Sequence, residues 1–210
     1  MKQLELALYP GSISEAPGET LAVAIPSDER PLAGHAGYVD WRTGGAISRQ
    51  LLSGFASGEL GEAVLLSRQR PFSAARVLLF GVGPIDSAGR RLQRAFSGLA
   101  ERLLLLKTQL AVLALPRAID FELDCEFLLR GCVQALSAQE GDQRLCLVLP
   151  DAEGHRLPLD SALEDVSADA RKRRVAVDIS WIEAQPATES LAGGSRDATR
   201  AAHESPPQQM

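Results

Sequence analysis

From about residue 76 to residue 149 the chain alternates short apolar runs with long amphipathic stretches. That alternation constrains the fold more than any other feature. Arg76 to Gly81, Leu110 to Leu115 and Leu145 to Leu149 are runs of strand length, each stopped by glycine or proline. In the stretch after Gly83-Pro84, Leu92, Phe96, Leu99, Leu103 and Leu106 fall at i, i+4, i+7, i+11 and i+14, with Asp86 or Ser87 as candidate cap. A second stretch opens near Asp120 and places Phe121, Cys125, Leu128, Cys132 and Ala135 on one stripe. Strand, helix, strand, helix, strand is the order of βαβ crossovers, so a mainly parallel sheet is predicted.

The flanking sequence extends this plan. Leu4 to Tyr9 alternates as a strand does, and Thr20 to Ile25 is a continuous apolar run that suits a strand buried on both faces. Pro31 to Gly54 reads as helical with a break at Gly44-Gly45. Glu62 to Ser67 and Arg76 to Gly81 form a hairpin-like pair, joined by a loop from Arg68 to Ala75, so the sheet is mixed. A helix from about Ser161 to Arg174 and a strand from Val175 to Ile182 complete an α/β domain over residues 1–183. Residues 184–210 have one large aliphatic residue, Leu191, and their composition predicts a disordered tail.

Composition narrows the function. The chain has 210 residues, 45% apolar and 23% charged, enough for one domain with a real core. A formal net charge of −5 argues against a general nucleic-acid binder, which needs clustered Lys and Arg. No stretch approaches the ~20 apolar residues of a membrane span, and the acid at Glu5 breaks any signal-peptide core, so a cytoplasmic protein is expected. Cys125, Cys132 and Cys146 lie in apolar surroundings without metal-ligand spacing and are expected as buried, reduced thiols. No cofactor or metal is expected. The basic cluster Arg171 to Arg174 is read as a solvated helix end.

Three stretches resemble the N-terminal domain of the M17 leucyl aminopeptidase family. They are Leu21 to Ile25 followed by Leu32 to Gly45, with its Asp40 ahead of a Gly-rich break; Gly58-Glu59-Leu60-Gly61-Glu62; and Arg76 to Gly83, a strand ending in Gly-x-Gly. The resemblance covers roughly residues 1 to 150 and implies a three-layer α/β/α, macro-domain-like fold. It implies further that the metal-bearing catalytic half is missing. Asp151-Ala152-Glu153-Gly154, with His155 inserted before Arg156, is similar to the family's Asn-Thr-Asp-Ala-Glu-Gly-Arg. A two-metal site needs several converging carboxylates, and the family's other ligand segments and lysines have no counterpart among Lys2, Lys107 and Lys172. The segment is therefore read as a polar turn, and no catalytic residue is assigned. His35, His155 and His203 are too far apart in sequence and setting to suggest a metal triad, and His35 is read as a surface or supporting residue near Asp40.

One binding candidate remains. Gly81-Val82-Gly83 is read first as a plain tight strand-to-helix turn. As an alternative it could present backbone N–H groups to an anion, although Asp86 breaks the longer glycine series and would repel a phosphate. The leading expectation is a non-catalytic binding or assembly module that docks on a partner protein, such as a full aminopeptidase, or self-associates. The alternative is a macro-domain-like binder or hydrolase of a nucleotide such as ADP-ribose, against which stands the complete lack of asparagine. A DNA-binding regulator is the third reading, and the acidic balance weighs against it.

Overall fold

The computed structural model describes residues 1–84, 90–115, 121–150 and 156–182. In chain order the elements are β1 (Lys2–Leu8), β2 (Thr20–Pro26), α1 (Gly34–Arg42), α2 (Ala46–Leu52), β3 (Ala63–Ser67) and β4 (Arg76–Gly83). They continue with α3 (Arg90–Leu105), β5 (Leu110–Ala114), α4 (Phe121–Ala138), β6 (Arg144–Leu149), α5 (Arg156–Lys172) and β7 (Val175–Trp181). The strands form one sheet in the order β3-β4-β2-β5-β6-β1-β7. Only β3 runs antiparallel, against β4; the other neighbours are parallel. The expected tail, 184–210, lies outside the described residues.

Period-two alternation divides the sheet's side chains between two cores. On one face Leu4, Leu6, Leu8, Leu78, Phe80, Leu113 and Leu147 meet α3, α4 and α5. Phe80 and Phe96 lie there with ring centroids 6.4 Å apart. On the other face Leu21, Val23, Ile25, Val77, Leu79 and Val148 meet α1, α2 and the segment after β1 that carries Tyr9 and Ile13. β2 is buried along its whole length, as a continuous apolar run requires. Each fully buried Leu or Phe contributes about 1.5–3 kcal/mol by leaving water, so the two cores carry the fold. Helices thus cover both faces, giving the expected three layers.

Three boundaries differ from the sequence reading for physical reasons. The helical stretch after Pro31 begins only at Gly34, while its division into α1 and α2 falls at the expected break, where Gly44 and Gly45 take φ of +63° and +79°, which side chains disfavour. α5 starts at Arg156, ahead of the expected Ser161; Pro158 lies in its first turn, where a helix needs no N–H. Finally, Gly81-Val82-Gly83 is not a turn. β4 runs through Gly83, and the register with β2 shifts at Ile25/Pro26, leaving Val82 as the extra residue of a bulge.

Candidate functional site

Open α/β sheets bind ligands at the C-terminal rim of their strands, where neighbouring strands send their connections to opposite faces. Here β2 leads to α1 on one face and β5 leads to α4 on the other, so the β2/β5 border is such a point. The start of α1 sits there. The His35 N–H donates to the Leu115 carbonyl at 3.1 Å, and the Ala33 N–H donates to Glu29 Oε2 at 3.2 Å. Arg30 ties the rim together by donating to the carbonyls of Pro26 (2.8 Å), Glu29 (2.7 Å) and Ser57 (2.9 Å). The candidate caps Asp86 and Ser87, and the segment Asp151 to His155, lie outside the described residues.

Gly81, Val82 and Gly83 are all buried. The Gly81 N–H donates to the Glu62 carbonyl (2.8 Å), its carbonyl accepts from the Gly61 N–H (3.1 Å), and the Gly83 N–H donates to the Gly58 carbonyl (2.9 Å). Two of the three N–H groups proposed to face an anion are therefore committed to the 58–62 segment. What these glycines supply is room. A Cβ on Gly81 would stand 1.9 Å from the Glu59 carbonyl oxygen.

The other sequence candidates are placed as follows. Asp40 closes the break between α1 and α2: its Oδ1 accepts the N–H groups of Ile47 (2.8 Å) and Ser48 (2.9 Å), and its Oδ2 accepts the Ser48 hydroxyl. It caps α2 as an Ncap acid would, from seven residues upstream. The three cysteines are buried and form no disulfide among the described residues. Burial pushes the Cys132 thiol up to about 12, and burial with the Glu5 carboxylate does the same for Cys146. Arg171 to Arg174 are exposed at the end of α5, with Arg173 donating to Asp169 at 2.8 Å. Among the described residues, no group of three or more His, Cys, Asp and Glu could hold a metal ion. No helix among them is long and apolar enough to cross a membrane.

A feature that the sequence reading did not single out lies in the segment from α1 to β3. Five of the eight exposed large apolar side chains among the described residues fall between positions 41 and 65: Trp41 (72% exposed), Leu52 (88%), Phe55 (64%), Leu60 and Leu65 (50%). That stretch is held firmly. Glu62 Oε2 accepts from the N–H groups of Ser57 (2.8 Å) and Gly58 (2.7 Å) and from the Ser57 hydroxyl (3.0 Å). Burial alone would raise the Glu62 carboxyl's pKa, but these donors outweigh it and hold it below the usual range. Tyr38 lies tilted against Trp41, with ring centroids 6.0 Å apart, and the Arg42 guanidinium lies over both rings. The signal was present in the sequence as four large apolar residues in a Gly- and Ser-rich stretch from 52 to 65, running into the strand Ala63 to Ser67.

Comparison with known proteins agrees with this architecture. A family model described as the cytosol aminopeptidase family, N-terminal domain, matches residues 14–139. A probable cytosol aminopeptidase of Pseudomonas fluorescens (strain Pf0-1) is 39% identical over 101 residues, which is 48% of this chain and 20% of that protein. One from Pseudomonas syringae pv. tomato is 38% identical over 79 residues, 38% of this chain and 16% of that protein. The match thus spans a fifth or less of these relatives' length. Among solved structures, a tomato leucine aminopeptidase mutant superposes with a TM-score of 0.57 at 14% identity, over 80% of this chain and 36% of that one. A mutant Oceanobacillus iheyensis macrodomain gives 0.59 at 16% identity, over 77% and 92%. A Trypanosoma brucei macrodomain in complex with ADP-ribose gives 0.57 at 17%, over 75% and 68%. These likenesses are of fold, and the fold is macrodomain-like. With more than half of its length matched by the family's own model, the chain belongs to the cytosol aminopeptidase family, and residues 14–139 correspond to that family's N-terminal domain.

Proposed function

We propose that the domain is a non-catalytic assembly module that works by protein–protein contact through the 41–67 segment, which ends in the edge strand β3. The observation that carries this reading is the run of exposed Trp41, Leu52, Phe55, Leu60 and Leu65 along one segment that Asp40 and Glu62 hold in place, with Trp41 and Leu52 on α1 and α2 and Leu65 on the three-helix face of β3. Large apolar side chains left exposed in number along one segment mark interaction sites more often than isolated ones do. A cytoplasmic setting accords with the reduced thiols and with relatives named cytosol aminopeptidases. The test is light scattering across a wide concentration range, with affinity capture from the source cell, for wild type and Leu52→Ser/Phe55→Ser. Association that the double variant abolishes supports the reading; association that the variant leaves unchanged counts against it.

A second reading is a binder or hydrolase of a nucleotide such as ADP-ribose, favoured by the macrodomain-like fold and by the β2/β5 border, where α1 begins. Gly81-Val82-Gly83 would then contribute through the bulge at Val82, because the other two N–H groups are taken. Calorimetric titration with ADP-ribose decides: heat with one-to-one stoichiometry supports it, and none at millimolar ligand removes it.

A further inference from the structure

β3 is the outermost strand on its side of the sheet, and its register with β4 fixes which backbone groups face outward. Ala63 lies opposite Phe80, so Glu62 lies opposite Gly81, and the Gly81 N–H does donate to the Glu62 carbonyl. Hydrogen-bonded and non-bonded pairs alternate along an antiparallel ladder. Val64 and Leu66 therefore exchange bonds with β4, while the N–H and C=O groups of Ala63, Leu65 and Ser67 point away from the sheet. Folded proteins usually blunt such an edge with charge, proline or a bulge. The opposite edge does so: β7 carries Asp178, whose carboxylate accepts the N–H of Ile179. The five residues of β3, Ala-Val-Leu-Leu-Ser, contain no charge and no proline.

The charges stand at its two ends, with opposite signs. Glu59 and Glu62 precede the strand; Arg68 and Arg70 follow it, both exposed. A strand with an acidic start and a basic finish complements itself only when the second strand runs the other way. Centred on Leu65, such a pairing sets Ala63 against Ser67 and Glu62 against Arg68 of the second copy. It also matches the outward groups, because Leu65 would exchange both backbone bonds with its counterpart. Leu65 lies opposite Leu78, so its half-exposed side chain is on the three-helix face, beside the second Leu65.

We propose that two copies of this chain pair antiparallel through β3, centred on Leu65, and continue the sheet across a twofold axis. This rests on the assembly reading above and names its partner. The partner is a second copy because the edge charges are self-complementary. A foreign peptide strand would need to bring the same pattern.

The test is sedimentation equilibrium on wild type, Leu65→Lys, Ser67→Pro and Arg68→Glu, with hydrogen exchange at the edge. Ser67→Pro removes an outward N–H that β4 does not use, and Arg68→Glu is exposed, so both are expected to keep the wild-type circular dichroism. Wild type should dimerise, and each variant should raise the dissociation constant by more than about tenfold. The Leu65 and Ser67 amides should gain protection with concentration, while those of Val64 and Leu66 are protected throughout. A dimer that all three variants leave intact overturns the β3 pairing and leaves the assembly reading standing. A wild-type monomer at every concentration also overturns the pairing, and the capture experiment then decides the assembly reading by itself. An edge that takes up extended peptides but never a second copy overturns it in favour of a foreign strand.

Discussion

Gly81→Ala distinguishes a glycine kept for close packing from one kept for a turn or for a ligand. The added Cβ would stand 1.9 Å from the Glu59 carbonyl oxygen and 2.7 Å from the carbonyl carbons of Glu59 and Gly58. All three are backbone atoms, so no rotamer change relieves the overlap. The 58–62 segment must retreat by more than about 1 Å to restore ordinary contact. That retreat lengthens the bonds Gly81 N–H to Glu62 (2.8 Å), Gly61 N–H to Gly81 (3.1 Å) and Gly83 N–H to Gly58 (2.9 Å) beyond hydrogen-bonding range. Three buried or half-buried backbone bonds at about 1 kcal/mol each give a loss of roughly 3 kcal/mol. For a chain of this size that is a fall in Tm of roughly 6–12 °C. The control is Gly98→Ala in α3, where an added Cβ meets nothing within 4 Å. It should stabilise by about 0.5–1 kcal/mol through helix propensity alone. Thermal unfolding followed by circular dichroism reads both. A Gly81→Ala protein that melts with wild type, or a Gly98→Ala protein that loses as much as Gly81→Ala, contradicts this packing.

Other consequences are as direct. Asp40→Ala leaves the Ile47 and Ser48 N–H groups without their acceptor and should cost about 2 kcal/mol by urea unfolding with an unchanged m-value, Asp40→Asn less. The Ser180 hydroxyl and the Arg144 guanidinium hold Glu5 below the usual carboxylate range. A depressed folded-state value stabilises above the unfolded-state pKa, and that contribution is lost as pH falls through the folded one. Glu5→Gln should therefore flatten the acid limb of stability against pH, and an unchanged limb would count against the assignment. The three buried thiols, two of them pushed up to about 12, should resist a thiol reagent at pH 8 until the chain unfolds. Labelling of any one before unfolding would contradict the packing described.

Local pattern reported what local physics controls. The stripe Leu92, Phe96, Leu99 and Leu103 is buried as its spacing predicts, and so is Cys125, Leu128, Cys132 and Ala135. The Gly44-Gly45 break is where the chain needs left-handed backbone. Features set by distant neighbours were not legible. Gly81-Val82-Gly83 looks like a turn by residue type, yet the segment crossing it is some twenty residues upstream. Gly131 is similar: it lies inside α4, where a Cβ would meet the Gln93 carbonyl at 2.5 Å, a neighbour brought by the α3–α4 packing. The buried bond between Thr20 and Thr108 (3.0 Å), with Arg76 donating to both hydroxyls, joins three strands' starts and leaves no local trace. The β3 surface was half legible. Its apolar run and flanking charges are in the sequence, but its alternating burial and its place at the sheet's edge follow from strand pairing alone.

The domain is proposed to act through protein contact along residues 41–67. Hydrogen-exchange mass spectrometry tests this most directly, comparing dilute protein, concentrated protein and protein saturated with ADP-ribose. Protection that grows with concentration and is confined to residues 41–67 is the predicted result. Protection by ADP-ribose over residues 26–37, with none at the β3 end at any concentration, would contradict it.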